Sequence, residues 1–405
     1  MSLQDSLGVN RAVIALSVAR LADAMGNSIL FIVLPLYVAK MPAPWFPFPE
    51  PVRVGILISL FGLVSATFQP IMGALSDRIG RRKAVIQAGL LLMGAATFSF
   101  LFAARFADLL VLRTVQGIGV ALTIPASMAI MAAVTSKKTR GGAMGVYTTL
   151  RMVGFASGPL VGGLLQVKYG FNAAFVVGTA LILLGMVLVQ LWVQDVRVER
   201  PATDPRPFRM FEPSIMSSGI MGVGVATFVM ASAFSMMTTL ERQFNARLNE
   251  TALGFSVAFS ALMVSRLLFQ VPLARLSDRV GRKPPIIAGL VLMAPATALL
   301  GEVVTTGQLT GLRLLQGLGA AAIAAPAFAL AGDLAKAGGE GRQMSIVTMG
   351  FGLGIALGPL LAGLLAVHSF ELPFFVGGVM ALGGAWVVAR YVPETVRRTE
   401  KAARL

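Results

Sequence analysis

FQPIMGALSDRIGRRK, residues 68–83, returns about 200 positions later as FQVPLARLSDRVGRKP, residues 269–284. RTVQGIG (113–119) likewise returns as RLLQGLG (313–319), and GPLVGGLL (158–165) as GPLLAGLL (358–365). Three pairs that keep their order and their displacement make the chain a tandem duplication. With 56% hydrophobic and 13% charged residues among 405, and a mean hydropathy of +0.79, it is excluded from the soluble globular class. Apolar runs able to cross a hydrocarbon core of about 30 Å recur along its length. Twelve spans are expected, the first near residues 12–39 and the seventh near 215–240, six to each copy. An even number of spans gives both copies the same orientation. The expected fold is an all-α membrane protein of twelve transmembrane helices in two pseudo-symmetric six-helix bundles. Residues 1–193 form the first bundle, 194–214 a charged, proline-containing cytoplasmic linker, and 215–405 the second bundle with a short cytoplasmic tail.

The net charge of +16 is concentrated in alternate loops: SDRIGRRK (76–83), SKKTR (136–140), the linker, SDRVGRK (277–283) and the tail. That alternation marks the cytoplasmic side of a multi-pass protein, with both termini inside, and not a nucleic-acid footprint. The first apolar segment is too long for a signal-peptide core and is expected to stay in the protein. With no Cys and the single His368 in a connection, no cofactor, metal site or nucleophilic catalysis is expected.

Gly73-Ala-Leu-Ser-Asp77-Arg78-Ile-Gly80-Arg81-Arg82 resembles the signature between the second and third spans of the major facilitator superfamily. It recurs at Asp278-Arg279-Val-Gly281-Arg282-Lys283, with Ala274 where the first copy has Gly73. The resemblance implies a conformational latch. Physically, Gly80 permits a tight turn, Asp77 can accept from backbone donors, and the arginines hold carboxylates or anionic lipid. In the fifth span, Gly154, Gly158, Pro159, Gly162 and Gly163 resemble the motif associated in that family with exporters, above all drug:proton antiporters. Glycines four apart let another helix approach closely, and Pro159 bends the span. Arg113, Gln116 and Gly117 resemble a fourth-span motif whose arginine is thought to assist proton coupling. Arg313 and Gln316 repeat it in the second half.

ARLADAMGN (19–27) places charge inside the first span. Arg20, Asp23 and Asn27 fall at i, i+3 and i+7 on one helical face, and Asp23 lies roughly 16 Å from the helix start at 1.5 Å per residue. A carboxylate there is a candidate proton carrier, answered by Arg20, Arg113 or Arg151. The seventh span, as bounded above, has no interior acid, which concentrates carboxylate chemistry in the first half. Arg151 and Arg266 are also interior and favour anionic or zwitterionic amphiphiles. Met230 and Met236 offer an adaptable apolar wall, with ordinary packing as the competing reading. Asn27, Gln116, Arg313 and Gln316 complete the expected substrate-facing set. The expected function is proton-coupled export of amphipathic small molecules by alternating access, in a bacterial cell membrane, as a monomer among membrane lipids. A transporter of a sugar, an organic anion or a lipid-like molecule is the alternative.

Overall fold

A computed structural model describes residues 10–136, 139–194, 217–334 and 340–395. The linker from 195 to 216, with Met216, and the tail from 396 lie outside the described residues, as does the side chain of Asp77. Among the described residues twelve helical spans are long and apolar enough to cross a membrane. In the first half they are α1 (Arg11–Val38), α2 (Glu50–Ile79), α3 (Arg82–Ser99), α4 (Phe106–Val134), α5 (Arg140–Tyr169) and α6 (Phe171–Trp192). In the second, α7 (Ser218–Ser235) continues through a 3₁₀ segment (Met236–Leu240) into α8 (Glu241–Leu248). It is followed by α9 (Ala252–Val280), α10 (Lys283–Ala298), α11 (Thr306–Asp333), α12 (Glu340–Leu365) and α13 (Leu372–Tyr391).

The helices persist through Pro35, Pro70, Pro125 and Pro159, since a helix in lipid has nowhere else to satisfy its backbone. The seventh span departs from the sequence expectation. It runs to Leu248, because Leu240 and Phe244 stay buried on one face of the polar run ERQFNARL and hold Glu241 inside with them. An interior acid therefore exists in the second half.

The chain forms two compact units. The first runs over Met1–Phe48, Leu60–Pro205 and Thr251–Ser260, so far as these residues are described. In it α1 packs along α5 and α6, and α3 along α4 and α6. Leu16, Ile86, Met93, Ile130 and Ile182 fill its core. In the second unit α7 packs along α12 and α13, and α10 along α11 and α13, around Leu290, Met293, Ile323 and Val347. Leu91, Val111, Leu268 and Phe375 are exposed, which costs nothing where an apolar side chain meets lipid.

The turn glycines behave as the spacing requires: Gly80 and Gly281 take φ of 66° and 105°, a region closed to most side chains. Just beyond each turn a lysine closes a helix end. Lys83 Nζ donates to the Gln190 carbonyl (2.8 Å) and Lys283 Nζ to that of Ala389 (2.7 Å). Both carbonyls belong to last helical turns and lack an intrahelical donor.

Candidate functional site

α1 is buried around most of its circumference, so its polar stripe faces protein. Arg20 Nη1 binds Asp23 Oδ2, which settles the local partner of the acid within this state. Asn27 Nδ2 donates to Asp23 Oδ1 (2.7 Å) and to the Asp23 carbonyl (3.1 Å). Its own Oδ1 is buried without a hydrogen-bond partner, so the carbonyl end of that amide is what remains for a ligand. Arg151 and Tyr147 of α5 lie within electrostatic reach of Asp23 and Arg20 respectively. A cavity of about 10 Å³ borders Arg20 and Asp23, walled by Leu16, Thr123, Ser127 and Tyr147. It is on the scale of a single water molecule.

The α5 glycines grip α1 at this turn. A Cβ on Gly154 would stand 2.5 Å from the Leu21 carbonyl oxygen, and one on Gly158 2.6 Å from that of Met25. Gly162 faces Ile29 at 3.0 Å, and Gly163 faces the Ala252 carbonyl of α9 at 2.8 Å. Asp23 thus sits between the first two contact points of the seam. The closeness lets Ser28 Oγ donate across to the Gly154 carbonyl (3.2 Å). Pro159 lies inside α5 beside these contacts.

Arg113 is fully buried on α4 and does not touch Asp23. Its Nη1 donates to Gln116 Oε1 (3.1 Å), Gln116 Nε2 donates to Thr97 Oγ1 (2.8 Å), and the guanidinium lies 4.8 Å over the Phe61 ring. Arg313 repeats the arrangement on α11: Nη1 donates to Gln316 Oε1 (2.7 Å) and Gln316 Nε2 to Thr297 Oγ1 (2.9 Å). Arg313 also donates to the Phe234 carbonyl (3.1 Å). Arg151 and Arg266 rest on aromatic rings, Arg151 over Phe155 (5.3 Å) and Arg266 over Phe351 (5.5 Å). Met230 is packed in the core of the second unit, and Met236 is equally buried, against Gly377.

The loop motif between the second and third spans of each half is held differently in the two copies. In the second, Arg282 pairs with Asp278 and, through Nε, with Asp333 (3.4 Å). Glu394 accepts from the backbone N–H groups of Arg282 (2.9 Å) and Lys283 (3.0 Å), filling the donor-rich start of α10. Gly281 supplies the turn and Arg279 is exposed. In the first copy Arg78 and Arg81 are exposed, Arg82 is half-buried, and Gly73 meets Pro125 at ordinary contact distance. The role given to Asp77 falls outside the described side chains.

Several groups that join these arrangements are missed by reasoning from the sequence. Thr97 and Thr297 repeat at the displacement of the other pairs and could be found that way. Asp333 and Glu394 are distant in sequence from the loop they serve, and Glu241 falls one residue beyond the expected end of the seventh span.

The profile described as Major Facilitator Superfamily matches residues 16–241 and 219–405. The chain is 26% identical over 328 residues to the human synaptic vesicular amine transporter, covering 78% of this chain and 62% of that protein's length. It is 27% identical over 328 residues to a multi-drug resistance efflux pump PmrA homolog of Lactococcus lactis, covering 80% of each. A solved bacterial homolog of the human lysosomal transporter Spinster matches with a TM-score of 0.76 at 14% identity, over 94% of this chain and 96% of that one. This last likeness concerns the fold.

Proposed function

Because the chain belongs to the major facilitator superfamily, and is thus a multi-pass membrane transporter of small molecules and not an enzyme, we propose that it is a proton-driven exporter of amphipathic compounds working by alternating access. The observation that carries the reading is the buried Arg20–Asp23 pair on the turn of α1 gripped by the Gly154–Gly158 seam. Ionised Asp23 neutralises Arg20 in a dry setting. Protonation removes that compensation, and a buried cation with no counter-charge favours a state in which water or another anion reaches it. The closely packed α1–α5 seam couples that demand to movement of the helix. Asp23 is the proton carrier and Arg20 its counter-ion. Arg113, a fixed charge held by Gln116, assists from a network that Arg313 mirrors. The Asp278–Arg282–Asp333 cluster, and the same loop motif in the first half, latch one access state. On this reading the protein sits in a bacterial cell membrane with both termini in the cytoplasm, an orientation the basic loops support, lipid meets the exposed apolar faces, and one chain suffices for the cycle.

Two relatives carry names of amine transport and multidrug efflux, which supports broad amphiphile export. Arg151 and Arg266 over aromatic rings favour a second reading, transport of a defined organic anion. Proteoliposomes with an imposed pH gradient separate the readings, using the cation ethidium and the anion fluorescein as probes. Gradient-dependent movement of ethidium supports the exporter. Strict preference for fluorescein transfers the case to the organic anion, and movement indifferent to the gradient removes the proton.

A further inference from the structure

Among the described residues the fully buried carboxylates are Asp23 and Glu241, and they are held in opposite ways. Asp23 has Arg20 and Asn27. Glu241 is 0% exposed and neither of its oxygens has a partner at full hydrogen-bond geometry; the Asn245 side chain, one turn on, is the polar group within its reach. The nearby arginines are committed elsewhere. Arg242 pairs with Glu50, and Arg247 Nη1 with Glu371 Oε1 (2.8 Å). Of the elements packed against this stretch, α7 has no charged residue. The described side chains of α12 have none either, and α13 carries only Arg390 at its far end. Glu371 precedes α13, and α2 brings Glu50 and Arg53. None of these puts a positive charge against Glu241.

A bare carboxylate in such a place is shut off from bulk solvent and has no cation against it, whereas the neutral acid fits at the cost of an ordinary buried polar group. The backbone is also irregular here. Met236–Leu240 is a 3₁₀ stretch in the middle of a span, and such stretches mark hinges or strain. Two side-chain ties straddle it: Thr238 Oγ1 to the Ser235 carbonyl (2.6 Å) and Thr239 Oγ1 to the Pro359 carbonyl of α12 (2.9 Å). The span ends seven residues past Glu241 at Leu248, and Asn249 follows with a left-handed φ of 51° that turns the chain toward α9.

We infer that Glu241 is a second, reversible proton site, belonging to the second unit, which carries a proton while buried at the 3₁₀–α junction and releases it when that junction opens to water. This deepens the proton-driven reading by giving the second half an acid of its own. The proton moves between the Glu241 carboxyl and water, with no other bond made or broken.

Infrared difference spectroscopy of the full chain in proteoliposomes, titrated with pH in H₂O and D₂O, tests it without any substrate. The expected result is a protonated-carboxyl C=O band at neutral pH that shifts in D₂O and disappears at alkaline pH. The band should be absent from Glu241→Gln and retained in Asp23→Asn and, at a shifted position, in Glu241→Asp. A Glu241→Gln protein that keeps the whole band overturns the inference. In the same vesicles Glu241→Gln is expected to keep gradient-free ethidium exchange and lose part of the response to a pH gradient. Equal loss of both indicates a packing or substrate-binding role and also overturns it. If the wild-type protein shows no gradient-driven flux, the proposed function fails, while the infrared arm still decides whether Glu241 holds a proton.

Discussion

The turn of α1 that carries Arg20, Asp23 and Asn27 has its counterpart in α7 at Thr227, Met230 and Phe234, because the matching glycines of α5 and α12 meet α1 and α7 at positions 207 apart. Around these turns the two units are alike. Gly354 and Gly358 of α12 meet the Phe228 and Ser232 carbonyls of α7, as Gly154 and Gly158 of α5 meet those of Leu21 and Met25. Arginine, glutamine and threonine form the same chain on α4 and α3 as on α11 and α10. What is duplicated is scaffold. What is not duplicated is how an acid is held: compensated at mid-helix in the first unit, bare at a helix junction in the second. Duplication fixed the packing and left the charges free to diverge, so the unshared groups are where coupling is sought.

The largest effects should come from breaking the unshared pair. Asp23→Asn leaves Arg20 buried without its counter-charge, a change expected to cost about 3–5 kcal/mol. A thermal melt in detergent should show that loss, and an Arg20→Gln/Asp23→Asn double variant should recover most of it without recovering coupling. If single and double variants melt alike, the pair is not what holds this turn.

Next come the shared seams. Valine at Gly158 or at Gly358 drives a side chain into backbone, expected to cost about 1–3 kcal/mol at either site. Comparable losses of monodisperse protein on size exclusion would support duplicated packing, while tolerance in one half alone would break the comparison. The threonines test the mirrored networks more gently. Thr97→Val and Thr297→Val each leave a glutamine amide unmatched and are expected to cost about 1 kcal/mol. Matching shifts in melting midpoint sharpen the symmetry, and a shift confined to Thr97 would give the Arg113 network a role that Arg313 lacks.

The smallest effect belongs to Glu371, outside the spans. Its own backbone N–H and the Arg247 guanidinium hold its carboxyl below the usual carboxylate range. A depressed acid contributes stability that is present above its unfolded value and is lost as pH falls through the folded one. The Glu371→Gln protein should therefore differ from wild type by a slight lowering of melting midpoint at neutral pH, a difference that vanishes in acid. A difference that grows in acid would reverse the sign.

Much of this architecture is legible in the amino-acid sequence. The repeats announce two copies of one six-span unit, and spacings of three and seven put Arg20, Asp23 and Asn27 on one face. Gly80 and Gly281 are readable as turns because the motif demands a left-handed residue at each. Long-range closure is not legible. Nothing local tells that Glu394 caps α10, or that Lys83 closes the end of α6 in addition to fixing topology. Glu241 is hidden by composition, since ERQFNARL looks like a loop until Leu240 and Phe244 are seen to keep one of its faces inside. The choice of Arg20 over Arg113 for Asp23 depends on the three-dimensional packing, because helix phase allows both.

The central claim is that Asp23 couples the proton to transport. Its most direct test is the ratio of gradient-driven to gradient-free ethidium movement in proteoliposomes holding Asp23→Asn. The account predicts exchange preserved and the gradient's contribution gone. Uphill ethidium movement at the wild-type ratio would contradict it.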